Sequence, residues 1–219
     1  MRSIKGGKMR AIVVTGGEAP SKELLLKYIK EDDYIIGVDK GCNALYEYNI
    51  TPNVILGDFD SADNKYIEYF INKGIERFRF PKEKDYTDTH LGYLKAKEEG
   101  ADEILFFGAT GNRVDHTLGN YGILLMALND NIHTEIIDNN NRLFLINKKT
   151  TFKGEKGEII SFHAISDVVK NVNILGAKYE LESYNMTLLE PRAICNEFLD
   201  DDITISFDEG IIMVIFPKE

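Results

Sequence analysis

Residues 11–38 read AIVVTGGEAPSKELLLKYIKEDDYIIGV, and this stretch decides the fold class. Its apolar run at 11–14 stops at Thr15-Gly16-Gly17, which predicts a buried strand followed by a tight turn. A helical period of apolar residues begins after Ser21, and a second apolar run of strand length follows at 34–38. A strand, a helix and another strand in this order are typical of a parallel sheet that is covered by helices.

The same alternation continues to residue 138. We predict further strands at 53–56, 104–107 and 133–138, a short extended segment at 77–80, and further helices at 41–48, 62–73, 86–99 and 116–129. Parallel strands need long crossover connections, which are nearly always right-handed, so helices are expected on both faces of the sheet. The N-terminal part is therefore predicted to be an α/β domain with a Rossmann-like, mainly parallel sheet.

The chain changes character after residue 139. The helical period disappears, and segments rich in β-branched and aromatic residues follow at 142–146, 158–164, 168–174, 203–208 and 211–216. Gly, Asn and Asp separate these segments, as is typical of antiparallel strands joined by turns. We therefore predict an α/β domain at 1–138 and a small all-β sandwich domain at 139–219, with Asn139-Asn140-Asn141 at the junction.

Composition excludes several classes of protein. The chain has 219 residues, 43% of them hydrophobic, and a formal net charge of −10, so nucleic acid is not expected to bind through a basic surface. No apolar run is long enough to span a membrane. Cys42 and Cys195 show no paired spacing, which suits a cytoplasmic protein. Met9 is a candidate initiator, with residues 1–8 as a tag or an upstream start.

Glycines and polar residues gather where the predicted strands end. The clusters are Gly16-Gly17, Asp39-Lys40-Gly41, Gly57-Asp58-Phe59-Asp60 and Gly108-Ala109-Thr110-Gly111. In open α/β sheets, ligands bind outside the carboxyl ends of the strands. A ligand site is therefore predicted at this edge of the sheet, formed by residues that are far apart in sequence.

Asp58 and Asp60 are candidate metal ligands. Where a strand continues in extended form, side chains two residues apart point the same way, and two carboxylates so close repel each other. A divalent cation removes that conflict, and oxygen ligands of this kind suit Mg²⁺. The alternative is that Asp58 and Ser61 cap a turn before the next helix.

A third carboxylate, Asp88, falls in the first turn of the helix predicted at 86–99, whose N-cap is either Asp85 or Thr87. Acidic residues at that position are favoured by the helix dipole, so a purely structural role is the alternative. The helix is expected to start on the same side of the sheet as Asp58 and Asp60. A third carboxylate near that pair is difficult to explain without a metal.

Residues 108–116 form a glycine-bearing turn from strand to helix, GATGNRVDH. Such turns expose backbone N–H groups to phosphate oxygens, although the spacing is not that of a Walker loop. Arg113 is a candidate phosphate clamp, and Asp115 either orients Arg113 or caps the helix. His116 is either a general base or a structural residue.

These motifs, in this order and spacing, resemble those of the thiamin pyrophosphokinase family. The resemblance extends over nearly the whole chain and includes Tyr179-x-Leu181 and Cys195-Asn196-Glu197-Phe198 in the β-rich tail. It implies an α/β domain followed by a β-sandwich, and a reaction in which ATP and thiamin give thiamin diphosphate and AMP. By match, the catalytic residues and Mg²⁺ ligands are Asp58, Asp60 and Asp88.

The resemblance also assigns the substrate sites and the assembly. The groups around ATP and its phosphates are Gly17, Asp39, Gly41, Asp85, Thr87, Thr110, Gly111, Arg113 and Asp115. Tyr179, Cys195 and Asn196 lie where the family holds the thiamin rings, although the family more often has Trp in place of Tyr179 and Ser in place of Cys195. A homodimer with shared active sites is implied, in which one chain's β domain covers its partner's ATP site.

Two other functions stay open at this point. One is a diphosphokinase for another hydroxymethyl heterocycle, such as a pterin, which need not carry the features at Tyr179 and Asn196. The other is a nucleotide-binding sensor without catalysis, which does not need the third carboxylate, Asp88.

Overall fold

A computed structural model of the chain describes residues 8–80 and 85–218. Of the candidate tag at 1–8, residues 1–7 lie outside the described residues. The chain divides into two compact units, Met1–Asn139 and Asn140–Glu219, which we call the α/β unit and the β unit. The two units differ in the kind of sheet that they contain.

The α/β unit contains a parallel sheet. Its strands are β1 (Arg10–Val14), β2 (Tyr34–Val38), β3 (Val54–Gly57), β4 (Glu76–Arg79), β5 (Glu103–Phe107) and β6 (His133–Ile137). Its helices are α1 (Lys22–Tyr28), α2 (Gly41–Glu47), α3 (Asn64–Asn72), α4 (Asp88–Glu98) and α5 (Val114–Asn129). The strands lie in the order β6-β5-β1-β2-β3-β4, and neighbouring strands run parallel. The predicted α/β class is confirmed for this part of the chain.

Helices cover both faces of this sheet. On one face, Ile12 and Val14 of β1 belong to a buried cluster with apolar residues of α1, α2 and α3. On the other face, Val13 lies against α4, because a side-chain carbon added at Gly92 would lie 2.9 Å from Val13 Cγ1. Successive side chains of one strand thus pack into two layers, which explains why the run is apolar throughout. Among the described residues, no helix is both long and apolar enough to cross a lipid bilayer.

The strand order reverses at β1. Strands β2, β3 and β4 follow on one side of it, whereas β5 lies on its other side, so that Val14 pairs with both Gly37 and Phe107. In open α/β sheets, the crevice that binds a ligand lies at such a reversal, outside the carboxyl ends of the strands. The loops that follow β1 and β5 are therefore placed to form one wall of a site.

The β unit contains two antiparallel sheets. Its strands are β7 (Asn141–Ile146), β8 (Thr150–Phe152), β9 (Ile159–Ala164), β10 (Val168–Leu175), β11 (Leu181–Thr187), β12 (Ala193–Glu197), β13 (Ile203–Ser206) and β14 (Ile212–Pro217). Within the unit, the orders are β12-β9-β14-β7 and β11-β10-β13-β8. Phe162 of the first sheet and Val172 and Ile205 of the second belong to one buried cluster, so the sheets share a core. The predicted β-rich C-terminal region is confirmed.

The sequence pattern does not predict strands β8, β11 and β12, and all three lie at the edges of their sheets. Strand β8 has only three residues, and in β11 only Met186 is fully buried. Strand β12 is interrupted by an irregularity in its pairing with β9. An edge strand is partly exposed to solvent and often short or bulged, so the apolar alternation that identifies a strand is weak there.

Candidate active site

A cleft of about 1080 Å³ lies at the carboxyl edge of the sheet in the α/β unit. The loops after β1, β2, β3 and β5 and the first turns of α4 and α5 form its walls. Ligand pockets of roughly 300–1,000 Å³ are usual, so the cleft has room for a nucleotide. Most of the predicted ATP and metal residues line it, namely Gly17, Asp39, Gly41, Asp58, Asp60, Thr87, Asp88, Thr110, Gly111 and Arg113.

Asp85 and Asp115 are not among the lining residues. Asp85 is exposed, and Thr87 is the N-cap of α4, with its Oγ1 accepting a backbone N–H at 3.2 Å. Of the two predicted N-caps, Thr87 is therefore correct and Asp85 is wrong. Asp115 lies in the first turn of α5, whose N-cap position is Arg113, so Asp115 does not cap that helix. His116 is exposed and lines the cleft.

The carboxylates of Asp39, Asp58 and Asp60 form a compact group, with one oxygen from each residue within 4.8 Å of the others. Asp88 is not a member of this group, but its negative charge helps to raise the pKa of Asp39. Burial is the largest cause of that raised pKa, and a hydrogen bond from Ser61 opposes it. Oxygen ligands gathered this closely fit a divalent cation such as Mg²⁺.

Backbone turns after β2 and β3 bring these carboxylates together. Asp39 has a φ of 47°, and its N–H donates to the carbonyl of Leu56 at 2.9 Å, which joins the two turns. A positive φ is uncommon for residues other than glycine, and aspartate is one of those that tolerate it best. Oδ1 of Asp58 accepts the N–H of Asp60 at 2.9 Å and closes the turn after β3.

Ser61 takes part in the site in a way that the sequence does not predict. The alternative in which Asp58 and Ser61 cap a turn before α3 holds for Asp58, whose Oδ1 closes the turn after β3, while Asp63 is the N-cap of α3 itself. The hydroxyl of Ser61 instead donates a hydrogen bond to Oδ2 of Asp39. Oδ1 of Asp39 is buried and has no hydrogen-bond partner among the described residues. A buried oxygen without a partner costs free energy, which a bound cation would offset.

The loops after β1 and β5 are tied to each other. The N–H groups of Gly17 and Glu18 donate to the carbonyls of Gly108 and Thr110, each at 2.8 Å. A side-chain carbon at Gly17 would collide with both of those carbonyl oxygens. Gly17 therefore lets the two backbones approach closely. Its own N–H is already used, so Gly17 shapes the cleft without offering that donor to a phosphate.

Gly41 lets α2 begin close to β1. A side-chain carbon at this position would collide with the carbonyl of Val14 and would lie 2.9 Å from the nitrogen of Thr15. Because both are backbone atoms, the clash could not be relieved by a side-chain movement. Gly41 thus allows the turn that carries Asp39 to lie close to β1, where it lines the cleft.

The loop at 109–112 offers backbone donors to the cleft. Within residues 8–80 and 85–218, the N–H groups of these four residues donate to no hydrogen bond. The loop is held by Asn120, whose buried Nδ2 donates to the carbonyl of Ala109 at 2.6 Å. Thr110 Oγ1 also donates to Asp138 at 2.9 Å. Free N–H groups on a loop that is fixed in this way suit phosphate oxygens.

Arg113 and Asp115 form an exposed two-pronged ion pair. Nε and Nη2 of Arg113 donate to the two carboxylate oxygens of Asp115 at 2.9 and 2.6 Å. The guanidinium holds the pKa of the Asp115 carboxyl well below its usual range. Arginine has five N–H donors, so Arg113 keeps others for an anion in the cleft. Of the two predicted roles for Asp115, orienting Arg113 is the one that the geometry supports.

The candidate thiamin residues lie together in the β unit. Tyr179 precedes β11 with 61% of its surface exposed, and Cys195, in β12, is exposed as well. Asn196 is 1% exposed. Its Oδ1 accepts the N–H of Tyr179 at 2.9 Å, and its Nδ2 donates to the carbonyl of Tyr179 at 2.8 Å. Asn196 therefore lies beneath the surface and holds the backbone of the exposed tyrosine.

Asn120 is a residue of the cleft that the sequence reasoning does not assign. It lines the cleft and is 7% exposed. The sequence pattern could have indicated its role, because Asn120 lies on the same face of α5 as the buried residues Ile123, Leu124 and Ala127. A polar residue on the apolar face of a helix usually has a specific hydrogen-bond partner.

Known proteins match both units. A family model described as the catalytic domain of thiamin pyrophosphokinase matches residues 25–136. A second model, described as the vitamin B1 binding domain of thiamin pyrophosphokinase, matches residues 146–212. The two matches lie in the same order along the chain as the two units.

Individual relatives agree with these models. Thiamine pyrophosphokinase from Bacillus subtilis (strain 168) is 33% identical over 205 residues, which cover 93% of this chain and 96% of that protein. The crystal structure of the Bacillus subtilis thiamine pyrophosphokinase aligns with a TM-score of 0.87 at 30% identity, covering 96% of this chain and 99% of that one. That from Geobacillus thermodenitrificans aligns with a TM-score of 0.85 at 30% identity, covering 96% and 98%. The chain therefore belongs to the thiamin pyrophosphokinase family.

Proposed function

We propose that this chain, an ATP-dependent diphosphotransferase, transfers the β,γ-diphosphoryl group of ATP to the hydroxyl of thiamin, giving thiamin diphosphate and AMP. The observation that carries the proposal is that the carboxylates of Asp39, Asp58 and Asp60 and the free N–H groups at 109–112 line one cleft. The carboxylates suit a cation that binds phosphates, and the N–H groups suit phosphate oxygens themselves.

The residues of the cleft fit Mg²⁺. Three carboxylates approach one another closely, and one oxygen of Asp39 is buried without a partner among the described residues. We take Asp58, Asp60 and Asp88 as the ligands, with Asp39 beside them. When bound, Mg²⁺ would neutralise charge on the phosphate oxygens, which is what phosphoryl transfer needs most.

The rest of the cleft binds and orients ATP. The N–H groups of Thr110 and Gly111 donate hydrogen bonds to phosphate oxygens, and Arg113 adds a charge-assisted hydrogen bond. Asp115 holds the guanidinium of Arg113 in one orientation, so less conformational entropy is lost when ATP binds. Thr87 keeps the first turn of α4, and with it Asp88, in place.

The reaction is an in-line displacement. The thiamin hydroxyl attacks the β-phosphorus of ATP, the bond from that phosphorus to the bridging oxygen of the α-phosphoryl group breaks, and AMP leaves with the electron pair. The hydroxyl proton passes to an aspartate of the cleft. Because alignment matters more than covalent help, the fixed turns after β2, β3 and β5 are the main contribution of the backbone.

Residues 139–219 are proposed to form a β-sandwich domain that binds thiamin. Residues 1–138 are proposed to form a Rossmann-like α/β domain that binds ATP. Tyr179, Cys195 and Asn196 form the thiamin site. The exposed ring of Tyr179 suits stacking on the cationic thiazolium, a contact that contributes roughly 0.5–2 kcal/mol. The vitamin B1 binding model that matches 146–212 supports this assignment.

A homodimer with shared active sites is part of the same proposal. It rests on the family resemblance, and a twofold axis would provide two such sites for each dimer. A cytoplasmic location is also proposed, and the two free cysteines, Cys42 and Cys195, support it.

One assay tests the function. The protein is incubated with ATP, Mg²⁺ and thiamin, and the products are separated and identified by mass. We expect AMP and thiamin diphosphate in equal amounts, and no AMP when thiamin is omitted. AMP formation with a hydroxymethyl pterin but not with thiamin would contradict the proposal, as would tight ATP binding without any AMP.

A further inference from the structure

Strand β12 contains one residue more than its neighbour β9 over the same span. Ala193 pairs with Phe162 and Asn196 with Ile160, so two residues of β12 lie opposite one of β9. Cys195 lies in this bulge with a φ of 53°. Bulges re-aim side chains and are common next to functional sites.

A buried hydroxyl holds the bulge. Ser161 of β9 is 7% exposed, and its Oγ accepts the N–H of Cys195 at 2.9 Å. Without the bulge, successive residues of β12 would alternate between the two faces of the sheet. With it, Ile194 and Cys195 are both exposed, and Asn196 is buried.

The side chain of Asn196 replaces the backbone as the partner of Tyr179. At the preceding residue, Lys178, the partner is a backbone group, since the N–H of Lys178 donates to the carbonyl of Glu197 at 3.1 Å. At Tyr179, both backbone groups bind the amide of Asn196 instead, at 2.9 and 2.8 Å. Oδ1 of Asn196 also accepts the N–H of Glu197 at 3.0 Å. Among the residues that the structure describes, the second N–H of the Asn196 amide has no acceptor, and the side chain has almost no exposed surface.

In contrast to the buried amide of Asn196, the ring of Tyr179 faces solvent. It is 61% exposed, and Nζ of Lys178 lies 5.7 Å from its centroid. The position of Lys178 is in turn fixed by an ion pair with Glu197 at 2.6 Å. The backbone of Tyr179 is therefore fixed on both sides while its ring faces solvent, which is the arrangement expected for a residue that presents a flat surface to a ligand.

We propose that Asn196 is a positioning residue that acts on thiamin through Tyr179, and that Ser161 supports it by holding the bulge. Asn196 does not itself contact the ring of thiamin, in contrast to the role that the family resemblance implies. The inference rests on the proposed function, because it takes thiamin as the ligand of Tyr179.

A double-mutant cycle distinguishes positioning from direct contact. Asn196→Ala, Tyr179→Ala and the double variant are titrated with thiamin and, separately, with a non-hydrolysable ATP analogue. We expect Asn196→Ala to weaken thiamin binding about tenfold and the double variant to bind no more weakly than Tyr179→Ala, because interacting residues are not additive. Binding of the ATP analogue should change less than twofold, and kcat at saturating thiamin should be retained. If the double variant instead lost thiamin affinity by the product of the two single losses, Asn196 would contact thiamin directly and the proposal would be overturned.

A second measurement does not depend on thiamin. The chain has no tryptophan, so Tyr179→Trp introduces a single tryptophan, which can be excited selectively over the tyrosines, as a reporter at the site. We expect Asn196→Ala in this background to lower the anisotropy of the reporter and to increase its quenching by acrylamide. Unchanged anisotropy and quenching would overturn the positioning role. If wild type bound no thiamin, the proposed function would fail, whereas the reporter would still decide whether Asn196 fixes position 179.

Asn196→Asp covers the case in which the alanine variant does not fold. It keeps an acceptor for the N–H of Tyr179 and loses the donor to its carbonyl, and it is used in the same cycle and with the same reporter. Glu182→Gln, a nearby exposed substitution in β11, is the matched control and should leave thiamin binding unchanged. Ser161→Ala should weaken thiamin binding in the same direction as Asn196→Asp but by a smaller factor, and a loss of ATP binding instead would contradict the proposal.

Discussion

The hydroxyl of Ser61 donates a hydrogen bond to Oδ2 of Asp39, and this bond connects the segments that follow β3 and β2. The other oxygen of that carboxylate is buried and has no partner among the residues that the structure describes. Ser61 therefore fixes the carboxylate of Asp39 beside Asp58 and Asp60 while one oxygen still lacks a partner. Removing one carboxylate charge from this group should therefore change both turnover and stability by measurable amounts.

Asp60→Asn should lower turnover by about 10²-fold, because it removes a ligand charge and nearly keeps the shape of the side chain. The metal-free variant should be at least as stable as wild type, since repulsion among the carboxylates is relieved. AMP release and thermal unfolding with and without Mg²⁺ measure the two effects. Asp32→Asn, an exposed residue in the turn before β2, is the matched control. Near-normal turnover of Asp60→Asn would remove Asp60 from the proposed metal site.

Arg113→Gln should raise the KM for ATP about tenfold, since a hydrogen bond to a charged group contributes about 1.5–3 kcal/mol. Asp115→Asn should raise it less, because the guanidinium remains but is held less firmly. The double variant should be no worse than Arg113→Gln alone. Initial rates over a range of ATP concentrations measure these constants, and the exposed Lys27→Gln is the control. If the rise in KM of the double variant equalled the product of the two single rises, the two residues would act independently, and Asp115 would not orient Arg113.

Asn120→Ala should destabilise the protein by about 1–3 kcal/mol, because the buried carbonyl of Ala109 loses its partner. The KM for ATP should rise as well, since the loop at 109–112 is no longer held. Urea unfolding and steady-state kinetics measure the two quantities. Asn129→Ala, an exposed substitution at the end of the same helix, should change neither. A stability loss with an unchanged KM would show that the loop does not depend on Asn120.

Mixing two impaired variants tests the shared sites, with activity assayed at a thiamin concentration well below the KM of Tyr179→Ala, where that variant alone has little activity. Asp60→Ala and Tyr179→Ala are dissociated, mixed and reassembled, and the dimers are counted by mass-labelled subunits. In a shared-site dimer, a mixed pair has one doubly damaged site and one intact site, so roughly a quarter of wild-type activity should return. Complete exchange without recovered activity would show that each site lies within one chain.

The stability of the protein should fall as the pH decreases from about 7 to 5, and His163 should account for part of the fall. Burial lowers the pKa of His163, and its Nδ1 is buried without a partner among the described residues. Because the unfolded chain, with a histidine pKa of about 6.5, takes up the proton more readily, the contribution of His163 is present above that pH and is lost as pH falls through the folded pKa.

His163→Gln should therefore flatten the dependence of the free energy of unfolding on pH in this range. Urea unfolding at several pH values gives that dependence directly. His116→Gln, at an exposed position, is the matched control for replacing a histidine by glutamine. A wild-type slope in His163→Gln would show that other groups cause the acid instability.

The parallel sheet and the edge that carries the site could be predicted, because buried strands are apolar on both faces and their carboxyl ends coincide. The edge strands β8, β11 and β12 could not, since they lack that pattern. The hydrogen bond between Ser61 and Asp39 was also beyond prediction. It depends on a left-handed turn at Asp39, and aspartate at such a position gives no signal that distinguishes it from an ordinary turn.

The role of Asn196 shows the same limit. The sequence places Asn196 beside Cys195 and, by resemblance, near thiamin, but the side chain is turned inward by a bulge at a cysteine with positive φ. Bulges depend on the pairing of two strands, and the sequence pattern predicted only one of those strands, β9. Asn196 thus lies behind the surface, with its amide bound to the backbone of Tyr179.

The central position of β1 also has a consequence for synthesis of the chain. The first three strands leave the ribosome well before β5, so one edge of β1 stays open until Phe107 can pair with Val14. The bonds from Thr15 and Gly17 to Phe107 and Gly108 form only then, and with them the cleft. A nascent or truncated chain that ends before β5 therefore exposes an apolar strand edge, the kind of surface that pairs with other chains and aggregates.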